Sequence, residues 1–375
     1  MSLFQYLSAA LLAIGLFAAC KSTDAMKNYS IDVTGRNNSA PGLQRYLYDL
    51  MQDSTREAVL PPGVVLYLKE NVTIPILRSI DFNGAVVRGA GRLVFVGSHL
   101  ADTSWFTLQN LRFAQSKGVV IERAKRVRVQ QFRFEQSRAS ALTVRYSQEI
   151  QLSDLSFVGT TNAGKDKIAC LLLHCINSSV DGLKTTGGDW FVAGVQVKGG
   201  QQNTVRNAII ENANFRRGFF ARGDAPYKAS PTKGDYPYAT GNWNQPDRQR
   251  ETRRLLFEQC TVINSSPNAW PSFLAQEARD VVFRDCSSIN SGKVGFAVHG
   301  VADEDEFSFI NCTVDNELLD PGNKAFDLSG AGLQRVVIRG ADIQHAEQPV
   351  VVDKKCVITK QRTTNSRSLD WNIKQ

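Results

Sequence analysis

The sequence predicts an all-β protein, a single-stranded parallel β-helix with a capping helix at its N-terminal end. Three observations predict it. Phe257, Phe283 and Phe309, Cys260, Cys286 and Cys312, and Asn264, Asn290 and Asn316 each recur after 26 residues. A short unit, apolar-x-x-(apolar or Cys)-x-apolar, begins at Leu108, Val129, Leu152, Val180, Val205, Phe257, Phe283, Phe309 and Val337. Its alternation is that of a strand, and no long segment follows a helical period. The unit returns after 21 to 28 residues, with one gap of 52, as expected for coils that tolerate loops of different length. Stacked strands lie about 4.8 Å apart, so residues one coil apart sit above one another. Phe and Cys should then form interior stacks, and the Asn residues a turn ladder with side-chain amides bonded up and down. Cysteines stacked along an axis do not converge as metal ligands do, so they read as buried fillers, with no metal site.

Taken in order, residues 1–20 read as an export signal. "LSAALLAIGLFAA" (Leu7 to Ala19) is too short to span a bilayer and has the length of a signal h-region. It ends in "LFAAC", which resembles the lipobox of bacterial lipoproteins and implies lipidation of Cys20, with an anchor in the outer membrane or a periplasmic or cell-surface location. Phe17 replaces the usual Leu, and "MSLFQY" lacks the customary basic residue. Residues 21–38 read as a polar tether ("KSTDAMKN") and an entering strand. Residues 39–60 hold the capping helix, "SAPGLQRYLYDLMQDS", with apolar residues at helical spacing behind a Ser/Pro start. "AVLPPGVVLYLKENVTI" follows as the first solenoid strand. The β-helix occupies 61–360, with a long insertion at 223–254, and 361–375 is a polar tail.

The chain of 375 residues is 42% apolar and 21% charged, enough for a sizeable core. Its formal charge of +8 suits nucleic acid, a membrane surface or an acidic polymer. Export argues against nucleic acid. Cys170 and Cys175 are candidates for a disulfide in an exported protein.

Helix, then "LPPG" and a strand, then coils with "N-x-x-x-N" turns, resembles the pectate-lyase-like superfamily of right-handed parallel β-helices over nearly the whole mature chain. That resemblance implies the fold and a polysaccharide-active or polysaccharide-binding protein. It does not choose an activity, because the fold hosts many.

Strands ending seven residues before each unit align as "GVVIER", "SALTVRY", "CLLLHC", "AGVQVKG", "RGFFARG", "SFLAQE" and "VGFAVHG". Their last outward positions read Glu122, Arg145, His174, Lys198, Arg222, Gln276 and His299. Arg145, His174, Lys198 and Arg222 would form a cationic line up one face. The insertion follows Arg222 and carries Tyr227, Tyr236, Tyr238 and Trp243 among basic residues. Aromatic faces beside cations suit an acidic polysaccharide, with Arg145, these four aromatics, Gln276 and His299 as substrate contacts.

A lyase on such a polymer needs cations on the carboxylate, a base for the α-proton and an acid for the leaving oxygen. Lys198 is the candidate base, since like charge on neighbouring rungs favours its neutral form. Arg222 would bind the carboxylate, and His174 or a Tyr of the insertion would donate the proton. The run Lys198 to Asp224 also resembles the Lys-to-Arg segment of the chondroitinase B and alginate lyase family. Here Gly223-Asp224 stands in place of His-Gly, and of the acidic calcium ligands expected before the Lys only Asp189 is present. No cofactor is expected. A hydrolase with paired carboxylates would draw on Asp303, Glu304, Asp305 and Glu306, or on Asp189 and Asp224. A non-catalytic glycan-binding surface lipoprotein or adhesin is the third reading.

Overall fold

Stacked phenylalanines run along the axis of the molecule and explain the repeat. In the computed structural model Phe257, Phe283 and Phe309 lie on consecutive rungs, with ring centroids 5.1 and 5.3 Å apart and planes within 5° of parallel. A second stack, Phe219, Phe273, Phe296 and Phe326, meets the first edge-on, as between Phe283 and Phe296 at 5.8 Å and 69°. Offset stacks joined edge-to-face are the favourable aromatic arrangements. The structure describes residues 24–54, 58–97, 104–160, 167–223, 252–265, 271–291, 293–299, 306–316, 323–330, 335–346, 348–352 and 357–361. The leader, Cys20, the insertion aromatics and residues 362–375 of the polar tail lie outside these residues.

Strands pair in parallel with their equivalents one coil away, as a β-helix requires. Leu108, Val129, Leu152, Val180, Val205, Phe257, Phe283 and Phe309 occupy one vertical row, as their spacing predicts. The last unit is displaced by one residue. Phe309 pairs with Ile338, while Val337 pairs with Ser308. Val336 and Ile338 point inward, and three consecutive apolar residues gave the sequence no way to fix the phase.

Helix α1 (Ala40–Gln52) covers the N-terminal end and buries Leu43, Leu47, Leu50 and Met51. It has Pro in its first turn, while the Ser39 hydroxyl donates to the Asp32 carbonyl at 2.9 Å instead of capping the helix. The strand Thr34–Asn38 pairs with Val65–Leu68, so the chain enters the solenoid before the helix. The segment read as one first strand divides into Val65–Leu68 and Val72–Ile76, which belong to different ladders. The polar tether is shorter than expected. Met26 is fully buried in the cap's core, an apolar anchor inside a polar run.

The cysteine column has a polar reason as well as a steric one. Cys286 Sγ donates to the Phe257 carbonyl at 3.5 Å and Cys312 Sγ to the Phe283 carbonyl at 3.4 Å. Each thiol thus satisfies a carbonyl one coil below. Cys170 and Cys175 are free and buried; no disulfide joins them. The Asn ladder differs from expectation. Asn264 and Asn290 adopt φ of 46° and 47°, and their main-chain N–H groups donate to Ile289 and Asp315 carbonyls on the next coil. The buried Asn316 side-chain amide has no hydrogen-bond partner among the described residues. Asn264 and Asn290 suit these corners through their tolerance of left-handed backbone, and their main-chain N–H groups bond from rung to rung.

Burial raises the thiol pKa of Cys175 to about 12 and raises those of Cys170, Cys260 and Cys312 from the same cause. The folded state therefore holds neutral thiols that the unfolded chain ionises near 9.0. Their contribution to stability is complete below that pH and is lost as pH rises above it. Two outcomes are expected. The denaturation midpoint should fall as pH passes about 9. A thiol reagent should also leave the five buried cysteines of the seven unlabelled until the chain unfolds. Native-state labelling of more than the other two would contradict this packing.

Candidate functional site: a cationic face on one sheet

Neighbouring rungs of one sheet place Glu122, Arg145, Leu173, Lys198, Arg222, Gln276 and His299 in a single outward row. Leu173, not His174, holds its rung. Cys170 and Leu172 point inward, so alternation turns Leu173 outward. The chain then takes a left-handed step at His174 (φ 53°), which returns Cys175 to the core. His174 is only 5% exposed and its ring stacks on Tyr146 at 5.5 Å and 9°. The outward cationic line is therefore Arg145, Lys198 and Arg222, interrupted by Leu173.

These three cations differ in their surroundings. Arg145 Nε donates to Glu122 Oε2 at 2.7 Å, so an acid on the preceding rung already answers its charge. Lys198 and Arg222 lie on adjacent rungs, with Leu173 and Gln276 beyond them. The exposed Arg222 guanidinium makes no hydrogen bond or ion pair to a described residue; its carbonyl accepts from the Thr252 hydroxyl. Elsewhere the chain alternates sign up a row. Asp181, Arg206, Glu258 and Arg284 occupy consecutive rungs, with ion pairs of 2.9 and 3.1 Å. The neighbours Arg112 and Arg133 share Glu135 at 3.0 and 2.6 Å. At about 4.8 Å between rungs, Lys198 and Arg222 bring two cations of one row close together.

A second outward row, missed by the sequence reading, runs beside the first. It contains Leu171, Gln196, Phe220, Leu274 and Ala297. Phe220 and Leu274 are each 1% exposed although they face away from the coil, and they form an apolar cluster outside it with Ile168, Ala193 and Val294. Arg217 pairs with Ala193 and lays its guanidinium over the Phe220 ring, 4.6 Å from the centroid. Burial first, and then the charges of Arg222 and Arg216, lower the Arg217 pKa. Arg222 thus lies near enough to Arg217 for their like charges to act on one another. The signal was present in "RGFFARG", where consecutive apolar residues replace alternation and so mark a strand packed on both faces.

Gly199 (φ 67°) and Gly200 (φ 91°) form the corner after Lys198, where a Cβ on Gly200 would lie 1.9 Å from the Cys175 carbonyl. A Cβ on Gly223, after Arg222, would lie 1.6 Å from the Glu277 carbonyl. These close approaches fix the rungs that carry Lys198 and Arg222.

Gln276 and the exposed His299 extend the row on the two rungs beyond Arg222. Tyr227, Tyr236, Tyr238, Trp243, Asp224 and Asp303 to Asp305 lie outside the described residues. Glu306 stands on another ladder and faces Arg335 at 3.5 Å. Asp189 pairs in register with Asn214. Among the described residues no group of three or more His, Cys, Asp or Glu could hold a metal ion. No helix among them is long and apolar enough to cross a membrane.

No family model matches the chain, and no curated protein matches it. Among solved structures it is similar to the catalytic domain of a GH87 α-1,3-glucanase in complex with nigerose, at TM-score 0.50 and 10% identity, over 88% of this chain and 67% of that one. It also resembles the endo-xylogalacturonan hydrolase from Aspergillus tubingensis, at TM-score 0.44 and 10% identity, over 87% of this chain and 88% of that one. A tailspike protein of bacteriophage CBA120 aligns at TM-score 0.43 and 8% identity, over 91% of this chain and 62% of that one. The glucanase likeness shows the fold, a right-handed parallel β-helix.

Proposed function

We propose that the protein is an exported lyase that cleaves an acidic, uronate-containing polysaccharide by β-elimination on the face carrying Lys198 and Arg222. One observation carries this reading: Lys198 and Arg222 stand on adjacent outward rungs of one row, with Leu173 and Gln276 on the rungs either side. Arg222 and Arg217 neutralise the substrate carboxylate, which acidifies the proton on the adjacent carbon. The Lys198 amine removes that proton, a carbon–carbon double bond forms, and the bond to the β-oxygen breaks. The leaving oxygen takes a proton from solvent, since the buried His174 faces Tyr146.

A hydrolase is less well supported by this face. Apart from Glu277 at the corner after Gln276, its described carboxylates are Glu122, joined to Arg145, and Asp327, joined to Lys324 at 2.8 Å. Seven rung steps separate their strands, roughly 34 Å at the usual spacing. Paired glycosidase carboxylates work within about 10 Å of one another. The leader places the protein outside the cytoplasm, and lipidation of Cys20 would anchor it to the outer membrane.

The test is incubation with alginate, pectate, hyaluronan and sulfated glycans. New ultraviolet absorbance from an unsaturated uronide is expected with one of the uronate polymers. Reducing ends without that absorbance would indicate hydrolysis, and retention without cleavage a binding protein; either would overturn the lyase assignment.

A further inference from the structure

The N-terminal cap carries a second depression, remote from Lys198. It has a volume of about 500 Å³ and is lined by Asn28, Tyr29, Gln44, Arg45, Tyr48 and Asp49. Helix α1 supplies four of these from the stripe opposite its buried face, and the segment before the first strand supplies the other two. Its walls are held in place. The Tyr29 hydroxyl donates to Asp49 Oδ2 at 2.8 Å, and its ring packs edge-on against Tyr46 at 5.3 Å. The Gln44 amide bonds the Thr73 main chain in both directions, its Oε1 accepting the Thr73 N–H at 2.6 Å.

The groups facing solvent are of another kind. Tyr48 leaves an aromatic ring 49% exposed, on the rigid helix rather than on a loop. The Arg45 guanidinium, the Asn28 amide and Asp49 Oδ1 make no hydrogen bond to a described residue. An aromatic face surrounded by both donors and acceptors, with one positive and one negative group, fits the apolar face and hydroxyls of a sugar ring, with Arg45 available to a ring carboxylate. It does not favour a bare anion, which Asp49 would repel, or a lipid, for which the walls are too polar.

Position links this depression to the cationic face. Thr73, which Gln44 grips, belongs to the same outward row as Val94, Val120, Thr143, Leu171 and Gln196. Five rung steps separate Thr73 from Gln196, roughly 24 Å along the axis. We propose that the cap depression is a distal subsite for a sugar ring of the same polysaccharide that crosses the Lys198–Arg222 face. This rests on the reading of that face as a polysaccharide site. The protein then grips a chain of several sugars at two points and favours long chains over short ones, because the second contact is intramolecular once the first is made.

The experiment is affinity electrophoresis of the full chain through gels containing alginate, pectate or hyaluronan, or the neutral polymer xylan. Wild type is compared with Tyr48→Ala, Arg222→Ala and the double variant. Tyr48→Ala is expected to weaken retention by an acidic polymer three- to tenfold while leaving turnover of a uronate trisaccharide unchanged. Arg222→Ala should impair both. Equal retention of Tyr48→Ala and wild type would overturn the distal subsite. If only the acidic-face reading fails, xylan will still retain wild type and Arg222→Ala but not Tyr48→Ala. Retention of wild type by none of these polymers would overturn both proposals.

Discussion

Lys198→Ala is expected to lower turnover of a uronate polymer roughly 10²–10⁴-fold, the loss associated with removing a positioned general base. Binding should survive, because the like charges of Arg222 and Arg217 remain. Lys198→Arg separates the two roles an amine could have. It preserves positive charge but supplies a group that does not deprotonate, so it should bind as wild type does and turn over as poorly as the alanine variant. Arg222→Ala should act differently, raising KM as well as lowering kcat, because a charge-assisted hydrogen bond to the carboxylate is lost in both ground and transition states. Arg222→Lys should recover part of the binding, since charge returns without the bidentate fork. The measurement is steady-state absorbance of the unsaturated product across these four variants. Turnover of Lys198→Ala within a few-fold of wild type would remove Lys198 from the base role.

The largest expected effect on stability is that of Phe283→Ala. Phe283 is fully buried where the two aromatic stacks meet, within 5.1 to 5.8 Å of Phe257, Phe273, Phe296 and Phe309. Removing it leaves a cavity that stacked strands cannot close without breaking register, and a cost of about 3–5 kcal/mol is expected. Phe283→Leu should cost less, because it refills most of the volume. Each rung touches chiefly its neighbours, so the loss should first loosen the coils around 257–309. Hydrogen exchange resolves this, with protection falling there before it falls in the coils around Phe113 and Phe134. A change below about 1 kcal/mol in denaturant titration, outside the range for such truncations, would mean that the stack does not bear on stability as described.

The fold was legible because coils of equal length translate vertical stacking into a fixed interval. Phe257, Phe283 and Phe309 show that interval with nothing inserted between them. Legibility failed where apolar residues run together. Val336, Val337 and Ile338 offer two phases, and only pairing with the preceding coil selects one. At "CLLLHC" the chemistry of His drew it into the cationic row, although the alternation of Cys170 and Leu172 already points Leu173 outward. The left-handed step at His174 corresponds to Gly199 one rung later, where glycine declares the corner openly. At Phe220 and Leu274 alternation alone fixes only which neighbours point inside, and leaves open the apolar row outside the coil and Arg217 above it. That row depends on both faces of a strand being covered, which alternation cannot express. The Lys198–Arg222 pair itself was legible, since both residues end strands of the same pattern one coil apart.

The chemistry assigned to that pair is tested most directly by digesting the susceptible polymer in water enriched in heavy oxygen and weighing the fragments. Elimination creates each new end by losing a proton and breaking a carbon–oxygen bond, so no solvent oxygen enters the sugar. Fragments with an unsaturated end and no heavy label are the predicted result. Heavy oxygen at the new ends would show that water, and not the Lys198 amine acting on a carbon-bound proton, drives cleavage.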